Sequence, residues 1–154
     1  MSAINEKDIR SFVDAASGYF SRLTQEKAEI KAAYLAEGTV PPRTFDLTGY
    51  INISGSFRGR IYFSAERDMM IRLLAATGET NRTQAHLLDA VGEVANTLAG
   101  NVRKRFGEEM EISVPEVRAT DPDWLAQTVS PYSYVILIQW KRHHASVVVD
   151  LQAL

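Results

Sequence analysis

Asp89-Ala90-Val91-Gly92-Glu93-Val94-Ala95-Asn96-Thr97-Leu98-Ala99-Gly100-Asn101 is the stretch on which the reading of this chain turns. Its apolar residues recur at helical spacing, and each residue of an α-helix advances about 100°. With Asp89 at zero, Glu93 falls at about +40°, Asn96 at about −20°, Gly100 at about +20° and Arg103 at about −40°. Leu87, Leu88, Val91, Val94, Ala95, Leu98, Val102 and Phe106 occupy the opposite side. The core stripe is complete without Glu93 or Asn96, so these two side chains are expected outward and adjacent, as i and i+3 positions are. Glycine costs a helix interior about 1 kcal/mol relative to alanine. Gly92 and Gly100 therefore mark either a helix face kept low for another surface or tight packing within the fold.

Working outward, Asn81 with Gln84 three residues later resembles a capping box, and Gly107 closes the helix after Phe106. A shorter helix is expected over residues 65–77, capped by Ser64, with Met69, Leu73 and Leu74 inward and Gly78 at its end. Before it, residues 45–54 alternate: Phe45, Leu47, Ile51 and Ile53 one way, Asp46, Thr48, Tyr50 and Asn52 the other. That is the pattern of a half-buried strand. Gly55-Ser56 is a hairpin signal, and residues 57–63 form the returning strand. Residues 5–37 read as one long helix through Ile9, Phe12, Val13, Ala16, Tyr19, Phe20, Leu23, Ile30 and Tyr34, with Asn5 as N-cap and Gly38 as stop. Pro41-Pro42 follows as an extended linker.

Downstream, residues 111–118 alternate through Ile112, Val114 and Val117 as a strand that Pro115 confines to an edge or a bulge. Asp121-Pro122-Asp123 reads as a turn. Residues 133–140 read as a strand covered on both faces, 141–144 as a turn and 145–151 as a last strand. Helix, two strands, two helices and three strands predict an α+β fold: an antiparallel sheet with helices packed on it, as one domain over residues 1–154.

Composition excludes several classes. A net charge of −2 in 154 residues gives no sign of nucleic-acid binding. Without cysteine there is no disulfide, thiol nucleophile or thiolate metal site. The first residues lack the apolar run of a signal peptide, and the apolar run over residues 134–138 is too short to span a bilayer, so no membrane insertion and a cytoplasmic location are expected. His143 and His144, adjacent on an extended segment, would point to opposite faces and make a poor metal pair.

A carboxylate and a carboxamide side by side suit only some chemistry. The acid attracts a cation; the amide donates and accepts, so it can hold and aim a water. No partner histidine stands at helical spacing for an activated nucleophile. Aligning a water does suffice for phosphoryl hydrolysis, where orientation and charge neutralisation outweigh a strong base. The phosphate-binding loop and acidic metal cluster this chain lacks would then come from a partner. The plainer alternative is a solvated helix face.

Asp89, Glu93, Asn96 and Gly100 match position for position the helix pattern Asp-x-x-x-Glu-x-x-Asn-x-x-x-Gly, and Glu93 to Asn96 is the only Glu-x-x-Asn in the chain. In this the chain resembles the CheC/CheX family of chemotaxis phosphatases. Residues 48–64, with their glycine-marked strand pair, extend the likeness, and a single motif helix is similar to CheX more than to CheC. The resemblance implies a CheC-like fold and hydrolysis of the aspartyl phosphate of a CheY-like response regulator. Asn96 would align the attacking water, and Glu93 would dock on the regulator's active-site lysine. Gly92, Ala99 and Gly100 would let the surfaces close, with Asp89 and Arg103 beside them. The chain would have no cofactor of its own, the Mg²⁺ belonging to the regulator, and would form a homodimer through its sheet. Lys141-Arg142-His143-His144, where the family often has a glycine turn, departs from the pattern. A catalytically silent regulator-binding module using the same helix face, or a purely structural dimer domain, are the alternatives.

Overall fold

The computed structural model describes residues 6–36, 43–130 and 133–153. The first helix, α1 (Glu6–Thr24), buries Ile9, Phe12, Ala16 and Phe20. It ends far short of residue 37. Gln25 takes a positive φ of 62°, and its N–H closes on the Ser21 carbonyl at 2.8 Å. The chain then runs as strand β1 (Glu29–Leu35). The helical spacing of Ile30 and Tyr34 is overridden here by pairing with β6, and a bulge between Ile30 and Ala32 puts Ile30 opposite Ile138 of the main core and Tyr34 opposite Val135 on the other face. The expected Asn5 cap, the Gly38 stop and the Pro41-Pro42 linker lie outside the described residues.

Strands β2 (Leu47–Ser54) and β3 (Phe57–Ala65) form the hairpin about Gly55, whose φ is 94°. Ser64 belongs to β3 and does not cap the next helix. Its hydroxyl accepts from the backbone N–H of Phe45 at 2.8 Å. Helix α2 (Arg67–Ala76) instead finds a remote carboxylate, Asp46 Oδ2, which accepts from the Arg67 N–H at 2.8 Å. Helix α3 (Gln84–Phe106) is capped by Thr83 rather than Asn81: Thr83 Oγ1 accepts from the His86 N–H, while Asn81 accepts from the Thr83 N–H.

The single strand expected over 111–118 is two, β4 (Glu111–Ile112) and β5 (Glu116–Ala119), both paired to β2. The expected turn at Asp121-Pro122-Asp123 opens a helix, α4 (Pro122–Thr128); Asp121 is its N-cap, accepting from the N–H groups of Asp123 and Trp124. Proline suits the first helical position because its missing N–H would be unpaired there anyway. Strands β6 (Tyr134–Trp140) and β7 (His143–Ala153) meet at a two-residue turn, Lys141-Arg142, so His143 and His144 are strand residues. His144 Nδ1 lies 3.0 Å from Glu66 Oε1, in an ion-pair contact once the ring is protonated.

The antiparallel sheet runs β1-β6-β7-β3-β2-β4, with β5 also on β2. Its two faces carry different covers. Ile51, Ile61, Phe63, Ile136, Ile138, Trp140, Val147 and Val149 share one core with α1, α2 and α3. Tyr50, Tyr62, Val135 and Val148, their alternates along the strands, share a second cluster with Leu125 and Val129 of the α4 segment. The second cover is why Leu47 to Ile51 are buried on both faces, where alternation alone predicts a half-buried strand. The ring centroids of Phe20 and Trp140 are 6.2 Å apart, and those of Phe12 and Phe106 6.0 Å apart, tying α1 to the sheet and to α3.

Candidate functional site

Helix α3 lies with Val91, Val94, Ala95, Leu98 and Val102 in the core and leaves Asp89, Glu93, Asn96 and Arg103 exposed on its other side. This is the division that the 100° step predicts. Neither the Asn96 carboxamide nor the Glu93 carboxylate has a hydrogen bond or ion pair among the described residues. A carboxamide left open in this way keeps both its donor and its acceptor for something outside the fold.

Asn96 stands between two open depressions. One, about 610 Å³, is lined by Asp89, Glu93, Asn96 and the segment Ile112–Pro115. The other, about 640 Å³, extends along Thr97, Gly100, Asn101, Arg103 and Lys104 to the turn at Gly107 and Glu108. The first is lined by two carboxylates, Asp89 and Glu93; the second by Arg103 and Lys104 together with Glu108.

Other residues of the motif face are placed differently from one another. Gly100 is half-buried, and a Cβ there would meet nothing within 4 Å. Gly92 is buried beneath the protein's own Pro115 and Val117. Ala99 is 0 % exposed and belongs to the main core. Positions 92 and 99 lie about 60° and about 80° from the Asp89 direction, on the same flank of the helix, and the fold covers both. An outer surface could meet Gly100 but not these two. Arg103 is exposed, yet its guanidinium is already engaged. Nε donates to the Met110 carbonyl at 2.9 Å and Nη2 to the Glu108 carbonyl at 3.4 Å, clamping the turn after α3.

Two contributors escaped the sequence reading. Tyr19 of α1, taken as one more core position, lies near Glu93: burial first, and the Glu93 charge second, push its hydroxyl up to about 12. Val114, one of the alternating apolar residues of the 111–118 segment, is 80 % exposed on the rim of the first depression. A signal was there. Ile112 and Val114 share a parity that Val117 breaks, and a proline sits between them.

Among the described residues no group of three or more His, Asp or Glu side chains is placed to hold a metal ion. Nor is any helix among them long and apolar enough to cross a membrane.

Comparison with known proteins bears on the family and the fold. The family model described as chemotaxis phosphatase CheX matches residues 47–139. No curated protein matches the chain. Among solved structures, a CheC-like superfamily protein from Shewanella sp. PV-4 superposes with a TM-score of 0.80 at 15% identity, covering 97% of this chain and 99% of that one. The chemotaxis protein CheX from Vibrio vulnificus gives 0.77 at 13% identity, covering 95% and 99%. The CheX–CheY–BeF3–Mg²⁺ complex from Borrelia burgdorferi gives 0.74 at 15% identity, covering 97% and 99%. At these identities the likeness establishes the fold.

Proposed function

Because this chain belongs to the CheX family of chemotaxis phosphatases, we propose that it hydrolyses the aspartyl phosphate of a CheY-like response regulator, with Asn96 orienting the attacking water and Glu93 docking on the regulator's active-site lysine. One observation carries the reading: the Asn96 carboxamide is exposed and unpartnered among the described residues, one helical turn from the exposed Glu93 carboxylate. The similarity in fold to a CheX solved in complex with CheY supports the choice of partner.

In this mechanism the Asn96 side chain enters the regulator's phosphoryl site and holds a water by one amide atom, aiming its lone pair at phosphorus. The water oxygen forms a bond to phosphorus as the aspartyl oxygen–phosphorus bond breaks. Free carboxylate and inorganic phosphate result, and the water's proton passes to solvent. Little covalent work falls to the helix, because phosphoryl transfer depends mainly on alignment and charge neutralisation. Mg²⁺ bound by the regulator supplies part of that neutralisation. Glu93 pairs with the lysine, and Asp89, one turn away, extends the acidic face. Close approach falls to Gly100, since Gly92 and Ala99 are enclosed.

The protein is further proposed to be a single cytoplasmic domain that works as a homodimer through its sheet. Support for the last point is the outer side of β1, a terminal strand on which Tyr34 and Leu35 are 41 % and 37 % exposed.

The deciding experiment follows the lifetime of phosphorylated regulators from the same genome with and without this protein. Shortening for at least one regulator, abolished by Asn96→Ala, is the expected result. Binding that leaves every phosphoryl lifetime unchanged would instead make the chain a silent adaptor.

A further inference from the structure

The segment between β4 and β5 is a β-bulge beside the motif helix. Ile112 pairs with Ile53 and Glu116 with Tyr50, so three residues, Ser113, Val114 and Pro115, stand opposite two, Ile51 and Asn52. An extra residue of this kind re-aims the side chains after it and is common next to functional sites. Here it reverses the parity of the strand and turns Val114 outward, 80 % exposed.

The bulge is held firmly. Ser113 exchanges two bonds with Asn52: its N–H donates to the Asn52 carbonyl at 2.9 Å, and its hydroxyl accepts from the Asn52 N–H at 2.9 Å. The same hydroxyl donates to the Val114 carbonyl at 2.9 Å. Pro115, next in line, packs over Gly92 in the turn of α3 that carries Glu93. An apolar side chain is thus presented to solvent on a fixed support, across one depression from Glu93 and Asn96. A lone exposed valine is ordinary. A valine pinned outward by a bulge that leans on the motif helix has a defined position relative to the motif.

We propose that Val114 is a specificity-determining contact for the phosphorylated regulator, packing on an aliphatic or aromatic spot of its surface beside the phosphoryl site while Glu93 pairs with the lysine. This rests on the function proposed above and adds to it a second, apolar docking point outside the helix. Val114 touches neither the water nor the phosphoryl group. It governs how readily the regulator docks, and not how fast the docked complex reacts.

The test measures phosphate release against regulator concentration for the intact protein and for Val114→Ser, Val114→Ile and Asn96→Ala. Burying one valine side chain corresponds to about a tenfold change in affinity. Val114→Ser is expected to raise the half-saturating regulator concentration by about that factor, with the saturating rate unchanged. Val114→Ile keeps both values, and Asn96→Ala shows the opposite split, a fall in the saturating rate. Equal half-saturation for Val114→Ser and the parent overturns the role of Val114 and leaves the phosphatase reading standing. A loss of saturating rate with unchanged half-saturation also overturns it. If the parent protein accelerates no regulator, the phosphatase reading fails and takes this one with it.

Discussion

Pro115 lies against Gly92: a Cβ placed on that glycine would stand 3.4 Å from Cβ and Cγ of the proline ring. The same Cβ would come within 3.0 Å of Cγ1 of Val117. The bare turn of α3 next to Glu93 is therefore covered by the protein's own bulge. Gly100, two turns on, faces open space. The two glycines of one motif do different things.

Substituting them should separate the two roles. Gly92→Val forces methyl groups into the Pro115–Val117 contact and is expected to cost about 1–3 kcal/mol of stability, as overpacking does. Gly100→Ala meets nothing and gains helix propensity, so it should stabilise the fold by about 0.5–1 kcal/mol. On the proposed docking face it should nonetheless slow regulator dephosphorylation. Chemical denaturation and a phosphate-release assay on the same two proteins check both statements.

Removing the Asn96 carboxamide should abolish acceleration without touching the core, because its side chain is exposed and unpartnered among the described residues. Losing one preorganised contact to the reacting group costs about 10² in rate. Asn96→Ala is expected to lose that much, with circular dichroism and melting unchanged. Glu93→Ala should act mainly on docking, raising the regulator concentration needed. Wild-type kinetics in both variants would contradict the assignment.

Alkaline pH should destabilise the fold through Tyr19. Its hydroxyl, at 10.0 when unperturbed, is raised to about 12 by burial and then by the Glu93 charge. In the unfolded chain the group ionises near its ordinary value, so only the unfolded state gains from losing the proton between pH 10 and 12. Stability is fully present below pH 10 and is lost as pH climbs through that window. Tyr50 and Tyr62, raised chiefly by burial, add to the fall. Denaturation midpoints measured across the window should drop less steeply for Tyr19→Phe. Glu93→Gln should bring the Tyr19 absorbance titration to lower pH.

The outer side of β1 offers a simple check on assembly. If copies join there, Tyr34→Lys places a charge against its symmetry mate and should shift the protein to monomer in light scattering. Tyr34 is 41 % exposed, so the monomer's own fold should tolerate the change. An unaltered mass would mean that this edge is not the joint.

Much of the site was legible because it is local. Glu93 and Asn96 fall on the wet side of α3 through nothing more than their spacing from Val91, Val94 and Leu98. Pro115 limits the 111–118 segment to an edge or a bulge, and the pairing of β4 and β5 with the same strand shows that it is a bulge, with Val114 outward. Tyr19 fitted the apolar stripe of α1, and nothing in its spacing says that it ends near a carboxylate more than seventy positions away.

Taken alone, the sequence determined the helical register around Glu93 and Asn96, the hairpin at Gly55 and the α+β class, since each follows from geometry within a few residues of chain. Tertiary structure decided that residues 29–35 become a strand, because that segment pairs with β6, about a hundred residues further on. It also decided which glycine is covered, through the Pro115–Gly92 contact. Such choices rest on partners that no short-range period encodes: the spacing of Ile30 and Tyr34 fits a helix, and only the pairing with β6 shows a bulge after Ile30 that sends the two side chains to opposite faces of the sheet.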